Sequence, residues 1–366
     1  MYELRLRTTL FAGAVTLLSV TAALAQDVPS SYPADYAQII EAAKKEGTVA
    51  IYTSTDLSQA QAMIDAFSAK FPEIQVEYND LGSNGTYNRV ISEAAASQVG
   101  GDLVWSSAMD LQMKLAADGY FEPYESAEIE NLPDWGSYKG LVYGTSIEPV
   151  GIIYNKGVLS EDQVPKTRAD LISFLQSNKD ELAGRIATFD PEKSGTGFLF
   201  HTNDATVTED FWDLAKAFGQ VGGKTYSSSG GMKETVVSGE NVLAFNVIGS
   251  YALDWVKESA NLGVAFGQDY TAAFSRLVGI AKGAPHPNAA RVLVDFMLSQ
   301  EGQSAMAAQG LPSMRTDVDT GFNLNTINER VGGNMKPIAI DEGLLEYMEP
   351  TKRVEFLREW KAALGS

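Results

Sequence analysis

The sequence predicts an α/β fold with two domains, each built on a mostly parallel sheet flanked by helices. Short runs of β-branched and aromatic residues alternate with amphipathic helical segments, which is the pattern of a doubly wound sheet. The alternation occurs once before residue 106 and again beyond residue 152. A chain of 366 residues also exceeds the size at which a single hydrophobic core keeps growing. We therefore expect two domains.

The first half of the chain supplies three predicted strands and the helices between them. A helix over residues 35–46 is indicated by apolar residues at helical spacing, and Gly47 suits its carboxyl end. A second helix begins near residue 57 and is ended by Pro72. A polar turn at residues 82–85 is expected to lead into a third helix. The predicted strands of this half are residues 48–52, 74–78 and 102–105.

The second half repeats the pattern without a low-complexity linker between the halves. Residues 194–197 (Ser-Gly-Thr-Gly) are expected to open a helix, and residues 208–218 have the apolar spacing of another. The connection between the two sheets is therefore expected to be a crossing of ordinary strands. The remaining predicted elements are strands at residues 185–189, 241–247 and 263–266, and helices at residues 287–298 and 299–309.

The N-terminal segment has the organisation of an export signal. Arg5 and Arg7 precede an apolar run at residues 10–20, and residues 23–25 (Ala-Leu-Ala) form a small-x-small cleavage pattern. The run is shorter than the roughly 20 residues that span a bilayer. We expect removal of residues 1–25, a mature protein that starts at Gln26, and a periplasmic location without a lipid anchor.

Composition excludes several classes of function. The formal net charge of −19 is unfavourable for nucleic acid binding and favours a dispersed, soluble monomer. The chain has no Cys and only two His, so thiolate nucleophiles and Cys-ligated metal sites are excluded. No cofactor is expected from any motif.

Small hydroxyl residues and glycines follow the predicted strands, where open α/β sheets bind ligands. Helix N-termini at these strand ends direct free N–H groups outward and favour phosphate, carboxylate or sugar ligands. For any single loop, helix capping alone is the more common role of Ser and Thr. The pattern becomes informative because it recurs in both halves. The candidate ligand-binding residues are Ser54, Thr55, Ser107, Ser194, Gly195, Thr196, Asn246, Ser250 and Tyr251.

Four segments resemble the extracellular solute-binding proteins of bacterial ABC importers, in the subgroup that binds iron(III), phosphorylated sugars or phosphonates. They are residues 141–159, 190–200, 242–255 and 288–306. The resemblance implies a type II periplasmic-binding-protein fold, with two lobes that close on a solute and deliver it to a membrane permease. It implies lobe 1 at residues 26–145 plus 277–312, and lobe 2 at 146–276 plus 313–366. Crossovers are implied near residues 143–148, 277–280 and 311–315, and Glu148 at the first becomes a further candidate for binding sugar hydroxyls or an amine.

The iron alternative can be tested on residues of this sequence. The resemblance implies a His after the first strand, a Glu after the third strand and two adjacent Tyr in lobe 2. Here the corresponding segments read Thr-Ser-Thr-Asp (residues 53–56), Ser106–Ser107 and Ser250–Tyr251. A hard cation requires several anionic oxygens. The substitutions favour an anion or a polyol and leave iron as the second candidate.

Other functions stay open on the sequence alone. Residues 219–225 (Gly-Gln-Val-Gly-Gly-Lys-Thr) resemble a phosphate-binding loop, but Phe218 stands where its first Gly is required. No Gly-x-Ser-x-Gly elbow is present. A carboxylate-based glycosidase and a receptor-linked sensor remain alternatives to an importer component. The favoured prediction is a non-enzymatic binding protein for a small polar solute, anionic and either phosphorylated or carboxylated.

Overall fold

The computed structural model describes residues 32–365. The predicted export signal and the cleavage site at Gln26 lie outside the described residues. The structure contains two sheets flanked by helices, which confirms the predicted fold class. Within residues 32–365, no helix combines the length and the apolar composition needed to cross a membrane.

Strands and helices are numbered along the chain. The strands are β1 (Thr48–Thr53), β2 (Gln75–Asp80), β3 (Leu103–Ser106), β4 (Phe121–Glu122), β5 (Ser137–Tyr138), β6 (Val142–Gly144), β7 (Glu148–Asn155), β8 (Ile186–Phe189), β9 (Lys224–Tyr226), β10 (Leu243–Ile248), β11 (Leu262–Ala265), β12 (Thr271–Phe274), β13 (Leu277–Ala281) and β14 (Met335–Pro337). The α-helices are α1 (Tyr36–Glu46), α2 (Leu57–Lys70), α3 (Gly82–Ala95), α4 (Met109–Ala117), α5 (Arg168–Ser177), α6 (Gly195–Val207), α7 (Phe211–Gln220), α8 (Ser229–Val237), α9 (Gly249–Glu258), α10 (Pro287–Leu298), α11 (Gln300–Ala308), α12 (Leu324–Arg330) and α13 (Pro350–Leu364).

The first sheet has the strand order β2-β1-β3-β13-β6-β5, and β4 pairs with β13. We call this sheet and the helices packed on it lobe 1. Strands β1, β2 and β3 are parallel, as the alternating pattern predicts. Strand β13 is antiparallel to β3 because it returns from the second sheet and enters the first in the opposite direction. The sheet is therefore mixed, whereas the sequence predicted a mostly parallel one.

The second sheet has the order β14-β12-β7-β10-β8-β9, and β11 pairs with β7. We call this sheet and its helices lobe 2. Strands β8, β9 and β10 are parallel to one another, and β14 is parallel to β12. The long strand β7 is antiparallel to β10, β11 and β12, so this sheet is also mixed. Strand β7 comes directly from lobe 1. Two consecutive parallel strands of one sheet need a crossover connection, usually a helix, and no such connection precedes β7.

The chain passes between the lobes at short connections. Strand β6 of lobe 1 is followed after three residues by β7 of lobe 2, and β12 of lobe 2 is followed after two residues by β13 of lobe 1. A third passage follows α11 and includes a bridge between Ser313 and Asn323. The return passage lies at residues 275–276, just before residues 277–280, where the resemblance implies a crossover.

Helices cover both lobes and bury separate apolar regions. In lobe 1, α1 packs on α10 and α2 packs on α11, and Phe67 lies beneath them without solvent exposure. In lobe 2, α7 packs on α5 and α13, where Trp360 and Phe211 stack. The C-terminal helix α13, which the sequence analysis did not assign, is therefore part of the lobe 2 core.

Two predicted loops belong to helices. Residues 82–85 form the first turn of α3 and not a loop before it. Hydroxyl and amide residues are favoured at the beginning of a helix as well as in loops, so the sequence did not distinguish the two. Strand β10 leads without a loop into α9, so Ser250 and Tyr251 lie in the first turn of that helix. By contrast, α2 and α10 have the predicted bounds.

Candidate ligand-binding cleft

Helices from both lobes begin at the region where the lobes meet. In lobe 1, α2, α3 and α4 follow β1, β2 and β3, and in lobe 2, α6 and α9 follow β8 and β10. Hydrogen bonds between first-turn residues of α3 and α6 join the lobes, as described below. Each helix N-terminus carries a partial positive charge and free N–H groups. The arrangement therefore favours negative charge between the lobes.

Lobe 1 contributes a cluster of serine hydroxyls. The Oγ of Ser54 lies 3.2 Å from the Oγ of Ser106 and 3.1 Å from the Oγ of Ser107. The Ser107 N–H also donates to Ser54 Oγ at 3.0 Å. Two of the predicted residues, Ser54 and Ser107, are thus neighbours at the ends of β1 and β3.

The lobe 1 cluster contacts lobe 2 through Thr196. Its Oγ1 lies 2.7 Å from Ser107 Oγ, and both side chains are buried. Because both groups are neutral hydroxyls, either can donate or accept. The contact brings together two residues 89 positions apart in the sequence.

The N-terminus of α6 is capped from within its own lobe and from lobe 1. Ser194 Oγ accepts from the Gly197 N–H at 3.1 Å, as expected for an N-cap serine. Ser83 Oγ, from α3 of lobe 1, accepts from the Gly195 N–H at 3.0 Å and from the Thr196 N–H at 3.4 Å. Gly195 permits this approach, because a Cβ there would lie 2.5 Å from Leu111 Cδ1 of lobe 1.

A buried ion pair lies at the passages between the lobes. Glu148 and Arg276 both have no exposed side-chain surface, and Arg276 Nε donates to Glu148 Oε1 at 2.7 Å. The Arg276 Nη2 donates to the second carboxylate oxygen at 3.1 Å, so the pair is bidentate. Ser146 and Ser250 also donate to the Glu148 carboxylate. Burial lowers the pKa of Arg276, but Glu148 together with the Tyr251 and Tyr78 hydroxyls raises it overall, which keeps the guanidinium charged.

The same ion pair contacts two more predicted residues. Arg276 Nη1 donates to Thr55 Oγ1 of lobe 1 at 3.0 Å, and its guanidinium lies 5.1 Å from the ring centre of Tyr251 in lobe 2. The Tyr251 hydroxyl accepts from the Asp56 N–H at 3.3 Å. Burial raises the pKa of Tyr251 to about 12, although the Arg276 charge opposes the shift, so the phenol stays protonated at neutral pH. The charges of Glu148 and Arg276 therefore compensate each other, and the protonated Tyr251 adds none.

The structure does not place Asn246 with the other predicted residues. Asn246 occupies a β-bulge in β10 with φ of 57°, and its amide donates to Asp204 Oδ2 at 3.1 Å. Asp204 also accepts from Arg168 Nη2 at 2.9 Å and from the Tyr270 hydroxyl. These residues line a cavity of about 40 Å³ within lobe 2. Asn246 supports the strand that leads to Ser250 rather than facing Ser107 and Thr196.

Several residues of the cleft were not singled out from the sequence. Ser83 lies in the polar turn that was expected at residues 82–85, directly after a predicted strand, so a signal for it was present. Arg276 carried no such signal, because a single Arg between two strands has no pattern and its partner Glu148 is 128 positions away. Within residues 32–365, no group of three or more His, Asp or Glu side chains is placed to hold a metal ion.

Two lobes joined by short strand passages, with helix N-termini of both facing one cleft, define a type II periplasmic-binding-protein fold. Residues 53–304 match the family described as bacterial extracellular solute-binding protein, and the chain belongs to this family. Membership implies a small-molecule ligand, a permease partner and a periplasmic location.

Solved structures agree with this assignment. The chain is 35% identical to the substrate-binding protein of an ABC transporter from Agrobacterium tumefaciens, with a TM-score of 0.83 over 87% of this chain and 94% of that one. It is 21% identical to AfuA from Actinobacillus pleuropneumoniae, solved with fructose 6-phosphate, over 87% and 99% of the chains, with a TM-score of 0.70. It is 18% identical to iron-bound HitA from Pseudomonas aeruginosa, over 86% and 99%, with a TM-score of 0.69. The latter two show the fold alone. The protein is thus a solute-binding component of an ABC transporter and not an enzyme.

Proposed function

We propose that the solute is a small anion, phosphorylated or carboxylated, that is bound between the lobes. The observation that carries the proposal is the position of Ser83 Oγ, which accepts from two main-chain N–H groups at the start of α6. A phosphate or carboxylate oxygen is a stronger acceptor than a hydroxyl and also interacts favourably with the helix dipole. An oxygen of the solute would take this position when the lobes close on it.

The proposed contacts come from both lobes. Ser54, Thr55 and Ser107 would bind the solute from lobe 1, and Ser194, Gly195 and Thr196 would bind its anionic group from lobe 2. Glu148, Ser250 and Tyr251 would contact the remainder of the solute at the hinge end. The neutral pair of Glu148 and Arg276 leaves the helix N-termini as the source of positive potential.

We further propose that the protein works as a free periplasmic monomer after removal of residues 1–25. The lobes would comprise residues 26–145 plus 277–312 and residues 146–276 plus 313–366. The acidic surface supports the monomer, because like charges oppose self-association. A solute that contacts both lobes would stabilise the closed form by its differential affinity.

Thermal unfolding with a panel of solutes tests the anion proposal. Inorganic phosphate, fructose 6-phosphate and citrate are compared with neutral fructose and with Fe(III) plus phosphate. A binding anion at one hundred times its Kd should stabilise the protein by about 2.7 kcal/mol. If no small anion shifts the transition while Fe(III) produces a visible charge-transfer band, the ferric alternative replaces the proposal.

A pair of variants on one helix locates the site. Thr196→Val removes the hydroxyl that contacts Ser107 and should reduce the solute-induced shift. Thr206→Val is the matched control, because the Thr206 hydroxyl donates to the Thr202 carbonyl at the carboxyl end of α6, opposite the N-terminus that contains Thr196. Equal shifts for the two variants would place the anion elsewhere.

A further inference from the structure

We propose that Ser83 and Asn84, which we call the latch, hold the two lobes closed by direct contact without a solute. Both residues lie in the first turn of α3 in lobe 1. They bind main-chain atoms that flank Ser194, the N-cap residue of α6 in lobe 2. The proposal concerns closure itself, and only the competition between Ser83 and a solute anion rests on the proposed function.

The two latch side chains present complementary groups. Ser83 Oγ accepts from the Gly195 and Thr196 N–H groups, as described above. Asn84 Nδ2 donates to the carbonyls of Lys193 at 3.0 Å and Glu192 at 3.4 Å. The Ser83 hydroxyl thus acts as an acceptor and the Asn84 amide as a donor. Their partners lie within five consecutive residues of lobe 2, residues 192–196. Since the lobe 2 partners are main-chain atoms, their positions are set by the fold of the turn and not by a rotamer.

Close apolar contact accompanies these hydrogen bonds. The Cα of Gly195 faces Ala108 and Leu111 of lobe 1, and a Cβ on Gly195 would lie 3.2 Å from Ala108 Cβ. The Oγ of Ser107 and Oγ1 of Thr196 add a buried hydrogen bond beside this contact. Polar groups that would otherwise need a solute or water are therefore satisfied between the lobes.

The latch has a consequence for solute capture. A contact that stabilises the closed form shifts the equilibrium between open and closed lobes in favour of closure. Where the solute anion takes the position of Ser83 Oγ, it must displace this contact. The latch then lowers the apparent affinity by the fraction of molecules that are already closed.

Small-angle X-ray scattering of the full mature chain tests the latch without added solute. Bound solute is first removed by unfolding and refolding, and native mass spectrometry verifies its removal. Wild-type scattering should be reproduced by the closed arrangement described here. The double variant Ser83→Ala/Asn84→Ala should show a larger radius of gyration, with far-UV circular dichroism confirming that it is folded.

A matched control removes a capping hydroxyl that does not join the lobes. Ser228 Oγ accepts from the Gly231 N–H at 3.1 Å within lobe 2, so Ser228→Ala should scatter as the wild type does. The latch is refuted if the wild type is already as open as the double variant, or if the double variant stays as closed as the wild type. Failure of every anion in the thermal panel would refute the anion proposal and leave the scattering result unchanged, so the two proposals fail separately.

Discussion

Asp110 is the most strongly perturbed carboxyl at the contact between the lobes. It lies in the first turn of α4, is 3% exposed, and borders a cavity of about 240 Å³ that Thr202 and Asn203 of α6 also line. Its Oδ1 accepts from the Leu111 N–H at 2.8 Å, while its Oδ2 has no hydrogen-bond partner. Burial raises the pKa of Asp110 to about 7, and the Leu111 N–H and the Arg353 charge reduce the shift only in part.

The raised pKa predicts that Asp110 makes stability depend on pH. The folded chain holds a proton that the unfolded chain releases near pH 4, so this stabilisation is present at low pH and is lost as pH rises through 7. Asp110→Asn removes the titration. In urea unfolding, the free energy of the wild type relative to this variant should fall by about 2 kcal/mol between pH 5 and pH 8. A difference that does not change with pH would show that Asp110 is ionised throughout.

At the residue scale, part of the site was predictable and part was not. Ser107 and Thr196 were recognised because each hydroxyl follows a strand with a clear pattern, and the structure places them in contact. Asn246 also follows that rule, but the bulge in β10 turns its amide to Asp204. A bulge of one residue cannot be recognised from the alternation of apolar and polar residues along a strand. Which of the predicted residues bind a solute stays a prediction.

At the scale of elements, long periodic helices were the most predictable and the connections the least. Helices α2 and α10 have the predicted bounds, since each has a clear stop or start signal at Pro72 or Pro287. The beginning of α3 was assigned to a turn because Gly, Ser and Asn favour both. Strand β14 and helix α13 were not assigned, because they are stabilised by contacts with β12 and α7 that lie far away in the sequence.

The passages between the lobes predict a strong dependence on their ion pair. Arg276→Met leaves Glu148 buried and unpaired, so it should lower the free energy of unfolding by about 3–5 kcal/mol. The double variant Glu148→Gln/Arg276→Met removes both charges and should lose less than Arg276→Met alone. Urea unfolding of all variants gives the comparison.

An exposed ion pair serves as the control for this cycle. Lys352 and Glu346 are 2.8 Å apart with roughly half of each side chain exposed, so Lys352→Met should change the free energy of unfolding little. The interpretation fails if Arg276→Met costs as little as Lys352→Met. It also fails if the double variant is less stable than Arg276→Met.

At the scale of the whole molecule, the two-domain α/β architecture was predictable from repetition of the strand and helix pattern. The mixed character of the sheets was not. It arises because β7 and β13 pass between the lobes and enter each sheet against its direction, and strand direction has no signature in local sequence. The exact lobe boundaries stay a prediction.

Closure of the whole molecule should be sensitive to one methyl group. Gly195→Ala places a Cβ 2.5 Å from Leu111 Cδ1 of the other lobe, so the lobes should remain apart and the radius of gyration should increase in solution scattering. Gly230→Ala is the matched control, since nothing lies within 4 Å of the added Cβ in α8. Wild-type scattering from Gly195→Ala would mean that Leu111 moves aside and that closure tolerates the methyl group.

The pairing of hydroxyls and main-chain groups between the lobes has a consequence for selectivity. Ser54, Ser83 and Ser107 already have partners when the lobes meet. In the proposed binding mode, capture would therefore be an exchange, in which a solute replaces existing hydrogen bonds and their number changes little. A neutral polyol gains almost nothing from such an exchange. A negatively charged solute would gain binding free energy, because an ionic acceptor at a helix N-terminus forms stronger hydrogen bonds than a neutral hydroxyl. If the solute is an anion, as we propose, discrimination would depend on its charge, and neutral sugars would compete weakly.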